Sequence, residues 1–571
     1  MKNTLAVKAL NQYRKRDIFP YLGLRYYLNS KVASNDRWIN EVSIRLARMA
    51  KEDSYLRTYH FKGMQGESFE HRDIYVPAPN EILAETALLT EISKFIEFNP
   101  KPYVYSYRFA EIEDKSGVFQ PYFNGFKERH QQVSSACKMQ KSGTVFFTDI
   151  KKFYPSIRIA DALRVWKLAC DSSGIEQKYK ELGEKILKRQ NFVSTRDESG
   201  NGILTGPLFS HVIANLLLNE TDVEMHKLTS GNYLRYVDDV VLIGTSEEVK
   251  KWREVLADRF DRLNLKLHDG EKDFEVSCDT WLDGELDFNE LIGNEWISLI
   301  GDMKRFLLAN PGKLEQVKKI FIENHIRLPI VDYSNAVKEA SYLRKIKVWS
   351  GKYRWSGRAV RKITIESLLS KAQLCESQFS MRLNRILEEL AHGSLYEKKR
   401  KIPKIRYLGS RLLYLSSRSD LLKLSSRFSE ISELILLEKT MRAVATLNLS
   451  DVVRMGANAA HMASQLIRVD QREVVVDANI PQTLIVEQSL AVIELNGIKH
   501  NIKPLQSELS SLAQADNMLI SMKSKNGFVK EFACLHGLAP ARHEETLETS
   551  FDMDEELALD LLNQLQNSSH C

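Results

Sequence analysis

The chain has 571 residues and a mass of 65.7 kDa, which is too long for a single hydrophobic core, so several structural units are expected. Hydrophobic residues make up 43% and charged residues 27%, which excludes a globally disordered chain; a net charge of +6 with pI near 8.7 suits a polyanion-binding enzyme without requiring one. The six cysteines stand far apart with no CxxC or Cys/His cluster, and no segment has the apolar run of a membrane span or secretion signal, so the expectation is a cytoplasmic protein with reduced thiols rather than a disulfide scaffold, zinc protein or membrane protein.

Up to about residue 300, short β-branched and aromatic runs alternate with helix-like segments and Gly/Pro punctuation, the pattern of an α+β domain. The run TVFFTDI predicts a strand that ends at Asp149 and leaves into KKFYPSI. In GILTGPLFSHVIANLLL, Gly202 and Gly206 permit a tight loop, and Pro207 can start a helix with Ile213, Leu216 and Leu217 on its apolar face. LRYVDDVVLIG sets two aspartates between apolar β-formers, as in a hairpin with its acidic pair at the turn. From about Gly301 the pattern changes to successive apolar-periodic segments such as KLEQVKKIFIENH and QFSMRLNRILEELAHG, which predict paired helices in a helical-repeat domain over 301–571. Within it, Tyr342 to Lys362 interleaves basic residues with Trp349, Tyr353 and Trp355, and a second basic run spans Lys398 to Arg406; both offer phosphate contacts, or else solvated helix faces. Arg468 to Leu495 is richer in β-branched residues and is expected to hold strands or an irregular insertion, while the acidic Glu544–Asp560 tail leads into an amphipathic terminal helix.

The chemistry lies in the acidic residues. Asp238 and Asp239, neighbours beside a core, repel each other unless a cation neutralises them, and oxygen-only ligands point to Mg²⁺ or Mn²⁺. A metal clamp for phosphoryl transfer needs a third carboxylate from elsewhere in the fold, for which Asp149 is the candidate, with the backbone carbonyl of Ile150 as a further oxygen. Two cations about 4 Å apart in such a clamp would activate a primer hydroxyl and steady the departing pyrophosphate.

Taken in order, TDIKKFYPSI, GILTGPLFSHVIAN, YVDD and LNLKLHDGEK resemble the palm motifs A, B, C and D of reverse transcriptases, and HRDIYVPAP and VYSYRFA resemble the fingers motifs, so the resemblance covers roughly residues 70 to 275. It implies a right-hand polymerase with fingers and an antiparallel palm over residues 1–300. It further implies Arg72 and Arg108 near the incoming triphosphate, Lys272 as proton donor to pyrophosphate, and Thr205 and Gly206 in the substrate-binding loop. Tyr154, five residues after Asp149, would be the aromatic gate beneath the incoming sugar, its ring doing the excluding. One departure stands out: where many members carry proline and glutamine before the second glycine of motif B, Leu204 and Thr205 precede Gly206. The YVDD core joined to a long helical (HEAT-like) region resembles the bacterial abortive-infection and defense-associated reverse transcriptases. That family implies dNTP substrates, a single-stranded DNA product made without a template, protein priming in some members, homo-oligomeric assembly and anti-phage defense. Copying of a dedicated RNA, or an inactive polymerase-fold scaffold, remain the alternatives.

Overall fold

The most apolar runs of the first 300 residues become the central strands of an antiparallel sheet. In the computed structural model, which describes residues 4–13, 17–29, 39–50, 54–112, 117–140, 142–200, 202–268, 273–288, 294–330, 363–392, 395–502, 509 and 523–538, the protein is mixed α/β. It divides into two compact units: Met1–Arg57, Asp73–Asn289 and Ser521–Pro540 in the first, Thr58–Arg72, Glu290–Ile520 and Ala541–Cys571 in the second.

After the N-terminal helices Thr4–Tyr13, Ile18–Asn29 and Ile44–Met49 comes a two-stranded hairpin, β1 (Tyr55–Gln65) and β2 (Ser68–Pro77), turned at Gly66 with φ +61°. The sheet of the first unit then comprises β3 (Thr144–Thr148), β4 (Tyr233–Tyr236), β5 (Asp239–Gly244) and β6 (Phe274–Ser277), in the order β4-β5-β3-β6 with every pairing antiparallel. Val145, Phe146, Phe147 and the whole of Val240–Gly244 are buried, as a continuous apolar run requires when a strand is covered on both faces. Phe147 stacks on Phe274 with centroids 4.5 Å apart and meets Trp281 at 5.7 Å, joining β3, β6 and the Cys278–Phe288 helix into one layer. The Ser246–Arg262 helix starts with a reciprocal cap in which the Thr245 hydroxyl accepts from the Glu248 N–H and the Glu248 carboxylate accepts from the Thr245 N–H.

The register across β3 and β5 pairs Thr148 with Val240, so the ends of these two strands bring Asp149 beside the β4–β5 turn. Behind them the long Leu208–Leu228 helix packs on β4. Its first N–H groups, Leu208 and Phe209, are met by the buried carboxyl oxygens of Glu85 at 3.3 and 2.8 Å, an internal acceptor at a helix N-terminus.

The second unit contains a row of helices, among them Asn294–Ala309, Leu314–Glu323, Ile365–His392, Leu395–Leu415, Arg418–Phe428, Ile435–Thr446 and Ala457–Ile467, around a single apolar core against which Phe61 and Phe69 of the hairpin tip also pack. The segment from Arg468 holds a short strand, Glu473–Val474, paired in parallel with Lys499–His500, and between them the helix Leu484–Leu495. The basic run Lys398–Arg406 lies within the Leu395–Leu415 helix, where Lys401 pairs with Glu389 and Arg406 donates to the carbonyl of Glu433. The Tyr342–Lys362 stretch and the Glu544–Asp560 tail lie outside the described residues. Among the described residues no helix is long and apolar enough to cross a membrane.

The helix Gly527–Leu538 returns to the first unit, where Glu531 accepts from the Asn80 N–H and Asn526 donates to the Tyr55 carbonyl. Burial pushes the Glu531 carboxyl up to about 8 and that of Glu85 up to about 7, with nearby Glu81 adding to both; Glu81 itself is held by Arg189 at 2.6 and 2.8 Å. A carboxyl whose folded pKa is raised favours the fold while protonated, so its contribution is complete below the ordinary carboxylate range and is lost as pH rises through about 7 to 8. Glu531→Gln should therefore raise Tm at about pH 8.5 and leave it nearly unchanged at about pH 5, as read by scanning calorimetry. An equal change at both pH values would contradict this account.

Candidate metal centre

A carboxylate can serve a metal only if the backbone aims it, and here two backbone features do so. Asp149 follows directly on β3 and is buried; its carbonyl accepts from the His268 N–H at 2.7 Å, and the Lys151 N–H donates to Lys266 at 2.8 Å. This isolated bridge centres on Ile150 and Leu267, and it engages the carbonyl of Asp149 and the N–H of Lys151 while leaving the Ile150 carbonyl outside the pairing. The second feature is the two-residue turn between β4 and β5. Tyr236 pairs with Asp239, so Val237 and Asp238 form the loop, and Val237 sits at φ +57°.

A β-branched residue at positive φ is strained by roughly 1–3 kcal/mol, since such loops normally take glycine there. Side chains hold both backbone groups of Val237: its N–H donates to the Ser106 hydroxyl at 2.8 Å, and its carbonyl accepts from Arg235 Nη1 at 2.7 Å. Arg235 is fully buried. Its Nε and Nη2 reach the two oxygens of Asp222 at 2.8 and 2.6 Å, and both terminal nitrogens contact Asn215 Oδ1 at 3.2 Å. Burial works against that charge, but Asp222 overrides it and holds the guanidinium pKa above its ordinary value. Asn215 in turn donates to the Ser106 carbonyl, which closes the network.

Asp149, Asp238 and Asp239 thereby converge, each offering an oxygen within 4.8 Å of the others. Burial, then Asp239 and Asp149, push the Asp238 carboxyl up to about 8. Carboxylates this close repel one another by roughly 3–4 kcal/mol per charged pair at an effective dielectric near 20, so a divalent cation fits the donor set.

The remaining sequence-predicted residues fall as follows. Tyr154 is buried in the one-turn helix Phe153–Ser156, its hydroxyl hydrogen-bonded to His211 Nδ1. Thr205 and Gly206 form a loop pressed on β2: the Tyr75 N–H donates to the Thr205 carbonyl at 2.8 Å, and a Cβ on Gly206, at φ +124°, would stand 2.3 Å from the Tyr75 carbonyl oxygen. Arg108 is half-buried with its guanidinium engaged by the Val104 and Pro102 carbonyls and by Glu128, and it lies over the Tyr105 ring. Arg72 is exposed on β2, in the part of the hairpin that belongs to the second unit. Lys272 lies outside the described residues. Sequence reasoning missed Arg235, Asp222, Asn215, Ser106 and His211. An arginine inside the apolar strand YLRY was a signal, as were Asn215 and Asp222, two turns apart on one face of a helix.

The sequence matches no protein-family model, and no curated protein matches it.

Binding of Mg²⁺ or Mn²⁺ should raise Tm, and the increment should grow as pH rises from about 4 to about 8, because the metal-free cluster bears more charge as Asp238 loses its proton. Asp238→Asn should raise the metal-free Tm at about pH 8 and shrink the metal-dependent increment. An increment that survives unchanged in this variant would move the metal elsewhere.

Proposed function

We propose that the protein is a Mg²⁺- or Mn²⁺-dependent DNA polymerase of the reverse-transcriptase type, transferring deoxynucleotides from dNTPs to a growing strand. The observation that carries this reading is the convergence of Asp149, just past the end of one central strand, with Asp238 in the adjacent hairpin turn and Asp239 at the start of the next strand, on one antiparallel sheet. Asp149, Asp238 and Asp239 would hold the metal, with the Ile150 carbonyl as a further ligand. When bound, it supplies activation of the attacking hydroxyl and charge neutralisation on the departing pyrophosphate. The chain's own part is positional. The bridge at Ile150 and the clamped Val237 turn fix three carboxylates before any substrate arrives, so little reorganisation is left for the reaction. Tyr154 would supply the ring against which an incoming sugar is judged, and Lys272 would be the proton donor to the departing pyrophosphate.

Template-free synthesis, in anti-phage defense, is the preferred mode. The Leu204–Thr205 departure from the motif B pattern supports it. An inactive scaffold is disfavoured by the complete carboxylate set, since repulsion among the three is a cost that binding alone gives no reason to keep.

Purified full-length protein with labelled dNTPs and Mg²⁺ should incorporate label, and Asp149→Ala, Asp238→Ala and Asp239→Ala should each reduce incorporation to background while the protein stays folded. Sequencing the product then separates the modes: a heteropolymer complementary to a co-purified RNA would replace the template-free reading. No incorporation with any primer, RNA or partner would defeat the polymerase reading itself. Tyr154→Ala should admit ribonucleotides, eroding a discrimination of about a hundredfold, the equivalent of roughly 2–3 kcal/mol of overpacking. An unchanged rNTP-to-dNTP preference in an active Tyr154→Ala enzyme would assign sugar choice to another residue.

A further inference from the structure

Tyr154 sits in a helix of a single turn, Phe153–Ser156, entered through Lys152 in the left-handed region at φ 46°. The ring is buried, and Phe153 meets it obliquely, with centroids 5.3 Å apart. The hydroxyl reaches a different element. It is hydrogen-bonded to Nδ1 of His211, in the first turn of the Leu208–Leu228 helix, and the two rings meet edge to face at 5.2 Å. In either imidazole tautomer one proton lies between these two atoms, so the contact is a hydrogen bond whichever group donates.

His211 is itself clamped. It is 4% exposed, and its ring lies flat on Tyr107, with centroids 3.6 Å apart and planes 6° from parallel, while Phe119 meets it edge-on at 6.5 Å. Tyr107 has φ 53°, a conformation that side-chain-bearing residues avoid, so the backbone is bent where it presents this ring to the imidazole. A side chain this fixed is a reference point for whatever it bonds.

We propose that His211 is a positioning residue that sets the angle of the Tyr154 ring, so that discrimination between deoxyribonucleotides and ribonucleotides depends on the Tyr154–His211 hydrogen bond and not on ring bulk alone. This rests on the polymerase reading above. It changes one expectation drawn from the sequence: Tyr154→Phe keeps the ring but loses the bond, and so loses selectivity.

The test measures kcat/KM for matched dNTP and rNTP substrates with full-length protein. Tyr154→Phe and His211→Leu should each raise rNTP use relative to dNTP use about tenfold, and the double variant should go no further than either single, because both remove one bond. His211→Asn, which returns an acceptor near the Nδ1 position, should recover most of the selectivity. A merely structural role would lower Tm and both substrates' kcat/KM together, leaving their ratio where it was. An unchanged ratio in both single variants, or effects that multiply in the double, overturns the proposal. If His211→Leu does not fold, Tyr154→Phe deletes the same bond from the other side. The bond has its own readout without nucleotide: the His211 imidazole nitrogen resonances should shift in Tyr154→Phe, and their failure to move overturns the proposal. Failure of the wild type to incorporate any nucleotide is a different result, which removes the polymerase reading and this inference with it.

Discussion

The buried pair of Arg235 and Asp222 is the interaction on which the centre depends. Arg235 bonds in three directions. Its side chain reaches the Leu208–Leu228 helix through Asp222 and Asn215, and the turn through the Val237 carbonyl. Its backbone exchanges bonds with Tyr103 and Tyr105, which covers the outer edge of β4 and so protects a strand that would otherwise expose unpaired N–H and C=O groups. Taking two charges out of water is costly, and such a pair is favourable only when every donor and acceptor is satisfied. Here Tyr233 donates to Asp222 at 2.8 Å and Asn215 shares the guanidinium, so the conditions are met. Removing one partner of such a pair typically costs about 3–5 kcal/mol, since the other is left charged and buried.

Because Asp222 neutralises Arg235, that guanidinium is not the counter-charge of the neighbouring aspartates. Arg235 reaches the Val237 carbonyl, one residue from Asp238, and both carboxylate oxygens of Asp222 receive its other donors. Negative charge is gathered where Asp149, Asp238 and Asp239 meet, and the upward push on the Asp238 carboxyl, from burial and then from its two neighbours, is the consequence. One buried cation holds the backbone of the turn, and the three carboxylates beside it form a cluster that could hold a metal ion.

The parts of this arrangement that follow from local chemistry were legible in the sequence. Continuous apolar runs marked β3 and β5, and an acidic pair flanked by β-formers marked the turn, because strand patterning and turn chemistry act over a few residues. The third aspartate followed from what phosphoryl-transfer metals need. What sequence periodicity does not encode is which core an element packs on. The hairpin tip from Thr58 to Arg72 belongs with the second unit and the helix Gly527–Leu538 with the first, through contacts such as Asn526 to Tyr55, hundreds of positions away in the chain. Arg108 carries the same lesson: an arginine in a promising motif reads identically whether its fork faces a phosphate or, as here, two carbonyls and Glu128. Gly206 reads as room for a ligand, yet the close approach it permits is to the Tyr75 backbone.

Val237 shows why the supporting network is as elaborate as it is. Glycine would take φ +57° without strain, but it would also leave the turn free to visit other conformations, and each of those would carry the Asp238 carboxylate away from Asp149. Valine has few conformations to offer, so once Ser106 and Arg235 hold its N–H and carbonyl the turn has a single shape. The strain of roughly 1–3 kcal/mol falls within what a fully satisfied buried network can sustain. It is a modest cost for keeping the three carboxylates together. Rigidity at Val237 and rigidity at Tyr154 then have a common origin. Both are fixed from the Leu208–Leu228 helix, the first by Asp222 and Asn215 acting through Arg235, the second by His211. A single helix therefore holds both the turn that carries Asp238 and the neighbouring aromatic ring of Tyr154.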